Sequence, residues 1–258
     1  MNILDEIADF TRERVEREKQ KLPPAVVREK AHLLPKGDFA FERALKRPGL
    51  AFICECKKAS PSKGIIAENF PYLEIARDYE SAGADAISVL TEPKYFLGRD
   101  EYLKDIASSV NIPCLRKDFV IDSYMIHQAK ILGASAVLLI CSLLSEGTLR
   151  EYISLCDDLG LSALVEAHDE HEVHEAVNAG ARIIGVNNRN LKDFTIDTDN
   201  SRKLRALIPG DVVFVSESGV RSAEDVRILR DIGADAVLVG EALMRADDKK
   251  KMLAELKS

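Results

Sequence analysis

An α/β fold, a single (β/α)8 TIM barrel with an N-terminal helical extension, is what this 258-residue sequence predicts, and three observations predict it. Four Gly-Ala pairs, Gly83-Ala84, Gly133-Ala134, Gly180-Ala181 and Gly233-Ala234, recur 50, 47 and 53 residues apart, each closing a helix-like stretch and opening an apolar run. Between them lie four more apolar runs, at 50–55, 112–117, 161–167 and 212–217, so the unit is one strand plus one helix and eight units fit. Such alternation without hairpin signals calls for a parallel sheet, which closes into a barrel at about 250 residues. An open nucleotide-binding sheet would instead carry G-x-G-x-x-G after its first strand, and the sequence has none.

Residues 1–48 differ in character from the barrel of 49–258, with which they are expected to form one domain. Ile3, Leu4, Ile7 and Phe10 recur at helical spacing, the run TRERVEREKQK is almost wholly charged, and Pro23-Pro24 stops the helix. A second helix is expected over Phe39–Leu45, before Pro48-Gly49 breaks into the first strand. Packed over the strands' C-terminal mouth, this extension would narrow the site and exclude water. The strands then follow as LAFICE, AISVL, IPCLRK, AVLLI, LSALVEA, IIGV, VVFVSE and AVLVG. Their branched aliphatics suit a sheet covered on both faces. Glycine ends the helices because it accepts positive φ without a Cβ clash.

Composition narrows the functional class. The chain is 46% apolar and has no tryptophan, so its core rests on Val, Ile, Leu and Ala. The run Ala136–Cys141 is far short of the roughly 20 residues that cross a bilayer, and the first residues lack the basic end and apolar middle of an export signal. No membrane span and a cytoplasmic location are expected. Cys54, Cys56, Cys114 and Cys141 fall on expected strands and Cys156 on a helix, as small buried hydrophobes. Cys54-x-Cys56 supplies two soft ligands without partners, so no metal is expected there. A net charge of −7 argues against nucleic acid, and leaves an anionic ligand dependent on a local positive site. The chain is expected to be a monomer or weak homo-oligomer.

Barrel sites form where strands end. The first strand runs into Glu55-Cys56-Lys57, and its two-residue period sends Glu55 and Lys57 to one side. The third ends Arg116-Lys117-Asp118, the fifth Val165-Glu166 and the sixth Asn187-Asn188-Arg189. One charged residue at a strand end is ordinarily a solvated loop residue. Lys117 and Glu166, however, interrupt runs that otherwise predict burial, and purposeless burial of charge is costly. The seventh and eighth strands end in Ser218-Gly219 and Gly240-Glu241. Glycine there can simply make tight turns, but loops seven and eight are also the usual phosphate site of this architecture. The segment His168 to His174 resembles a metal cluster, yet its histidines rotate around a helix, and Asp169 and Glu172 are spaced as a capping box.

Glu55-x-Lys57-x-x-Ser60-Pro61-Ser62-Lys63-Gly64, Leu115-Arg116-Lys117-Asp118-Phe119, Leu164-Val165-Glu166, Gly185 through Leu191, Ser216-Glu217-Ser218-Gly219 and Val239-Gly240 appear in order along the chain. Together they resemble the indole-3-glycerol phosphate synthase family over essentially the whole length. The resemblance implies ring closure of 1-(2-carboxyphenylamino)-1-deoxyribulose 5-phosphate, a small anionic sugar phosphate, with loss of carbon dioxide and water, in tryptophan biosynthesis. That chemistry needs acid and base but no cofactor, redox carrier or metal. It implies Lys117 as general acid at the carbonyl, Glu166 assisting dehydration, Lys57 on the phosphate and reacting chain, and Glu55 and Asn187 positioning the reacting groups. Ser60 and Arg189 would contact the anthranilate carboxylate, and Pro61, Phe96, Phe119, Leu138 and Leu191 would line the ring pocket. Ser218, Gly219, Gly240 and the Glu241 backbone would cradle phosphate. Lys57 and a dry mouth are expected to lower the pKa of Lys117, tempered by Glu55. Gly64 and Lys63 permit motion of the loop from Ser60 to Asn69. A sugar-phosphate isomerase would share the phosphate end without needing the Ser-Pro-Ser loop, and a scaffold barrel would bind without releasing carbon dioxide.

Overall fold

The structure, a computed structural model, describes residues 3–190 and 194–258. Eight parallel strands form a closed barrel. They are β1 (Ala51–Cys56), β2 (Ala86–Leu90), β3 (Cys114–Lys117), β4 (Ala136–Ile140), β5 (Ser162–Ala167), β6 (Ile183–Asn187), β7 (Val213–Glu217) and β8 (Ala236–Val239). β8 closes on β1 with Ala51 opposite Ala236 and Ile53 opposite Leu238. A short antiparallel hairpin, Ala59–Ser60 with Gly64–Ile65, stands inside the loop after β1 and was not expected.

All four Gly-Ala pairs do the same physical work. Each glycine has positive φ, between 77 and 87°. Its N–H and that of the following alanine cap the preceding helix, as Gly83 to Glu80 O (2.9 Å) and Ala84 to Tyr79 O (2.9 Å) illustrate. This double bond satisfies carbonyls that a helix end leaves orphaned, then turns the chain into the next strand.

Three helices precede β1: α1 (Ile3–Lys21), α2 (Pro24–Leu33) and α3 (Ala40–Leu45). The sequence reading missed α2, because Pro24 both ends one helix and opens the next from its N-terminal turn. Phe39 lies outside α3, in left-handed conformation just before it. One face of the charged run of α1 is docked on the barrel, while Arg12, Glu13, Glu16, Arg17, Gln20 and Lys21 stay exposed. Arg14 pairs with buried Asp118 at 2.9 Å and Lys19 with Asp122 at 2.7 Å, while Val15 joins the outer core with Val27 and Ala31 of α2.

Two apolar clusters divide the molecule. One lies between strands and outer helices; the other fills the barrel from its foot, where Phe41 and Leu45 of α3 pack under Ala51, Ala86, Ala136, Ile183 and Ala236. Above that plug the inward positions change from aliphatic to charged. The five cysteines are free and buried; Cys141 opens a 3-10 turn after β4, correcting its expected place on the strand.

Candidate active site

Two-residue alternation carries Glu55, Lys117, Glu166, Asn187 and Glu217 inward at the strands' C-terminal ends. Pairing brings them to a common height, with Ile140 opposite Glu166 and Asn187 opposite Glu217. The Lys117 ammonium stands 3.4 Å from Glu166 and 3.6 Å from Glu217. Lys57 holds Glu55 at 2.7 Å, and Ser88 reaches the same carboxylate at 3.5 Å.

Burial alone would lower the pKa of Lys117, but Glu166, Glu217 and Glu55 outweigh it and raise that pKa. The expected lowering by Lys57 is therefore corrected: Lys57 spends its charge on Glu55, and three carboxylates from other strands face Lys117. Burial pushes Glu166 up, yet Lys117, His168 and Asn187 bring it below the usual carboxylate range. Glu217 goes the other way, to about 8, because burial, Glu166 and Glu55 together exceed the pull of Lys117. Two adjacent carboxylates thus hold opposite protonation preferences.

A cavity of about 410 Å³ opens above these groups. Ser60, Pro61, Phe96, Phe119 and Leu138 line its apolar side, where the Phe96 and Phe119 rings lie 5.8 Å apart. Arg189 lines the same cavity and reaches Ser62 at 3.5 Å across the loop after β1. Leu191 lies outside the described residues. Ile3, Leu4 and Ile7 of α1 close one flank.

Ser218, Gly219, Gly240 and Glu241 line the cavity as well. Ser218 and Gly219 both have positive φ, and a Cβ on Gly219 would stand 2.7 Å from Thr198. The Glu241 carboxylate is held aside by Arg245 at 3.1 Å and Lys63 at 3.7 Å, which leaves its backbone N–H at the turn. Arg221 and Arg245 also line the cavity; sequence reading missed both, Arg245 because it sits five residues beyond Gly240 and Arg221 because attention stopped at the glycine two residues before it.

A family model described as indole-3-glycerol phosphate synthase matches residues 4–256. The chain belongs to the indole-3-glycerol phosphate synthase family. A protein of that name from Ruminiclostridium cellulolyticum is 59% identical over 256 residues, covering 99% of this chain and 98% of its own. Another from Endomicrobium trichonymphae is 51% identical over 256 residues, with 99% of each chain covered. Among solved structures, 3-hexulose-6-phosphate synthase from Salmonella typhimurium has a TM-score of 0.67 at 16% identity, covering 81% of this chain and 97% of that one. At that identity the likeness is one of fold.

Glu217 and His168 are the groups that sequence reading left without a role. Glu217 was in plain view within Ser216-Glu217-Ser218, and its inward parity on β7 was the available signal. His168 was read with the helix that follows it. In fact Asp169 caps the helix Glu170–Asn178 by accepting from Glu172 N, while Glu172 turns back to His168, so the expected capping box is only half formed. Among the described residues no group of three or more His, Cys, Asp or Glu is arranged to hold a metal.

Proposed function

We propose that this cavity closes the indole ring of 1-(2-carboxyphenylamino)-1-deoxyribulose 5-phosphate, releasing carbon dioxide and water, as the family's carboxy-lyase step of tryptophan biosynthesis. The observation that carries this reading is a buried Lys117 ammonium between two carboxylates, between an aromatic-lined wall and a glycine-turn wall. Lys117, kept charged, faces the carbonyl and stabilises the oxygen as the aromatic carbon attacks, then gives it the proton. Loss of carbon dioxide restores the aromatic ring; Glu166 then takes the proton from the nitrogen-bearing carbon while Lys117, recharged from solvent, protonates the departing hydroxyl, which leaves as water. Glu55 and Asn187 orient the reacting chain, with Lys57 between it and the phosphate. Ser60 and Arg189 receive the anthranilate carboxylate, the Arg fork suiting a planar anion, and Pro61, Phe96, Phe119 and Leu138 receive the ring. Ser218, Gly219, Gly240 and the Glu241 N–H cradle phosphate.

The extension serves this chemistry as part of one unit with the barrel, and the chain works as a monomer or weak homo-oligomer in the cytoplasm. No helix among the described residues is long and apolar enough to cross a membrane. The test is a continuous indole-fluorescence assay on purified, chelator-treated protein. Lys117→Ala is expected to fold and to lose about 10²–10⁴ in rate, the usual worth of a general acid; turnover within a few-fold of the unaltered chain overturns that role.

A further inference from the structure

Glu166 is gripped from behind by a group that the reaction scheme leaves idle. His168 follows it by two residues on the same face of the chain, with Nε2 3.3 Å from Glu166 Oε1. Its other nitrogen, Nδ1, lies 2.9 Å from Glu172 Oε2. The ring cannot swing, because Glu172 also accepts from the His168 backbone N–H at 2.8 Å and from the Ser142 hydroxyl, and Asn200 donates to the His168 carbonyl at 3.0 Å.

We propose that His168 is a positioning residue that keeps Glu166 the ionised member of the Glu166–Glu217 pair, so that a proton shared by the two carboxylates resides on Glu217. This rests on the function proposed above and specifies how its base is kept available.

Both carboxylates close on the Lys117 ammonium, and Glu166 pushes the pKa of Glu217 up. Lys117 is nearly equidistant from them, at 3.4 and 3.6 Å, and so does not choose between them. The choice comes from their remaining partners. Glu166 has Asn187 and the His168 ring, whose buried Nε2 stands 3.3 Å away as an ion-pair contact rather than a well-aligned hydrogen bond, whereas Glu217 Oε1 is buried without a hydrogen-bond partner. A neutral imidazole has one N–H and can serve only one of its two flanking carboxylates, while the imidazolium serves both. The protonated ring is therefore the form this site favours, and its pKa is accordingly pushed up to about 10, burial opposing and Glu166 and Glu172 prevailing. Other charges face the pair from every side. Lys117 and Glu55 stand on the barrel side, and Asp169, Arg189 and Asp197 line a polar cavity on the far side of His168. His168 adds positive charge to Glu166 and does not figure among the main influences on Glu217.

The test replaces His168 with glutamine, a donor without charge, and follows indole fluorescence from about pH 3 to about pH 8. His168→Gln is expected to keep kcat within about twofold at neutral pH, where Glu166 stays ionised, and to lower it about tenfold on the acid limb, with KM within about twofold. The acid limb of the kcat profile moves to higher pH by about one unit, because Glu166 binds its proton more tightly. Glu172→Gln, which removes the charge that fixes the ring, moves the limb the same way by less. An acid limb that stays in place in both variants, with circular dichroism unchanged, overturns the proposal; should His168→Gln not fold, the limb of Glu172→Gln decides. Absence of turnover by the unaltered chain would instead sink the proposed function itself.

Discussion

Two missing methyl groups make room for the charges of the site. A Cβ on Gly185 would fall against the Glu217 carboxylate, and one on Gly240 would stand 2.5 Å from Glu55 Oε1 and 3.0 Å from Lys57 Nζ. Gly240 has φ of −121°, so its backbone suits any residue and only space is at stake. Gly240→Ala is expected to cost about 1–3 kcal/mol, as overpacking does, and to lower kcat/KM as the Glu55–Lys57 pair shifts; urea titration and the fluorescence assay measure the two. Glu217 makes a separate mark on stability. Unfolded, it ionises near the ordinary carboxylate value of about 4.3; folded, it holds its proton to about 8. As pH rises through that window the unfolded chain sheds a proton that the folded one keeps, and the fold loses stability. Glu217→Gln removes this penalty. Its melting temperature relative to the unaltered chain should climb from pH 5 to pH 8 by calorimetry, and a flat difference would contradict the assignment.

At the scale of elements, the grip of the extension on the barrel reaches the site through one residue. Asp118 follows Lys117 and is fully buried, held by Arg14 of α1 at 2.9 Å, Arg116 at 3.6 Å and the Thr91 hydroxyl at 2.7 Å. Arg14→Ala removes the closest charge partner of a buried carboxylate, a loss of about 3 kcal/mol. It should also slow turnover, because the end of β3 is no longer pinned. A second anchor is backbone on backbone. Gly37 N–H donates to Leu159 O at 3.0 Å, and a Cβ on Gly160 would meet the Gly37 nitrogen and carbonyl. Gly160→Ala combines that clash with φ of +69°, so the expected loss exceeds the roughly 1 kcal/mol of an ordinary substitution, read by urea titration. None of this was legible from the charged run of α1, whose partners lie about a hundred residues away. The Gly-Ala pairs were legible because their cap is made within five residues.

Over the whole molecule, the barrel interior changes nature with height. At its foot α3 inserts Phe41, fully buried, into a ring of small strand-start residues. Phe41→Ala should cost about 3–5 kcal/mol while leaving the charged layer's residues intact, so stability falls further than kcat. Strand ends let the sequence place Glu55, Lys117 and Glu166 together, since where an apolar run is interrupted by charge is a local property. The direction of the Lys117 shift was not local: it sums carboxylates from β1, β5 and β7, which meet only when the sheet closes. His168 escaped for another reason: period two puts it on the side of Glu166, but it stands one step past the strand end and was grouped with the histidines of the helix that follows.

The flank closed by Ile3, Leu4 and Ile7 has a practical corollary. A dye or affinity handle fused ahead of Ile3 would hang over the substrate's entrance and colour every kinetic measurement. The C-terminal helix, Lys249–Lys257, ends at the other rim, where Lys257 donates to the Gly83 carbonyl at the foot of β2. Cargo attached after Ser258 leaves from the side where no chemistry takes place.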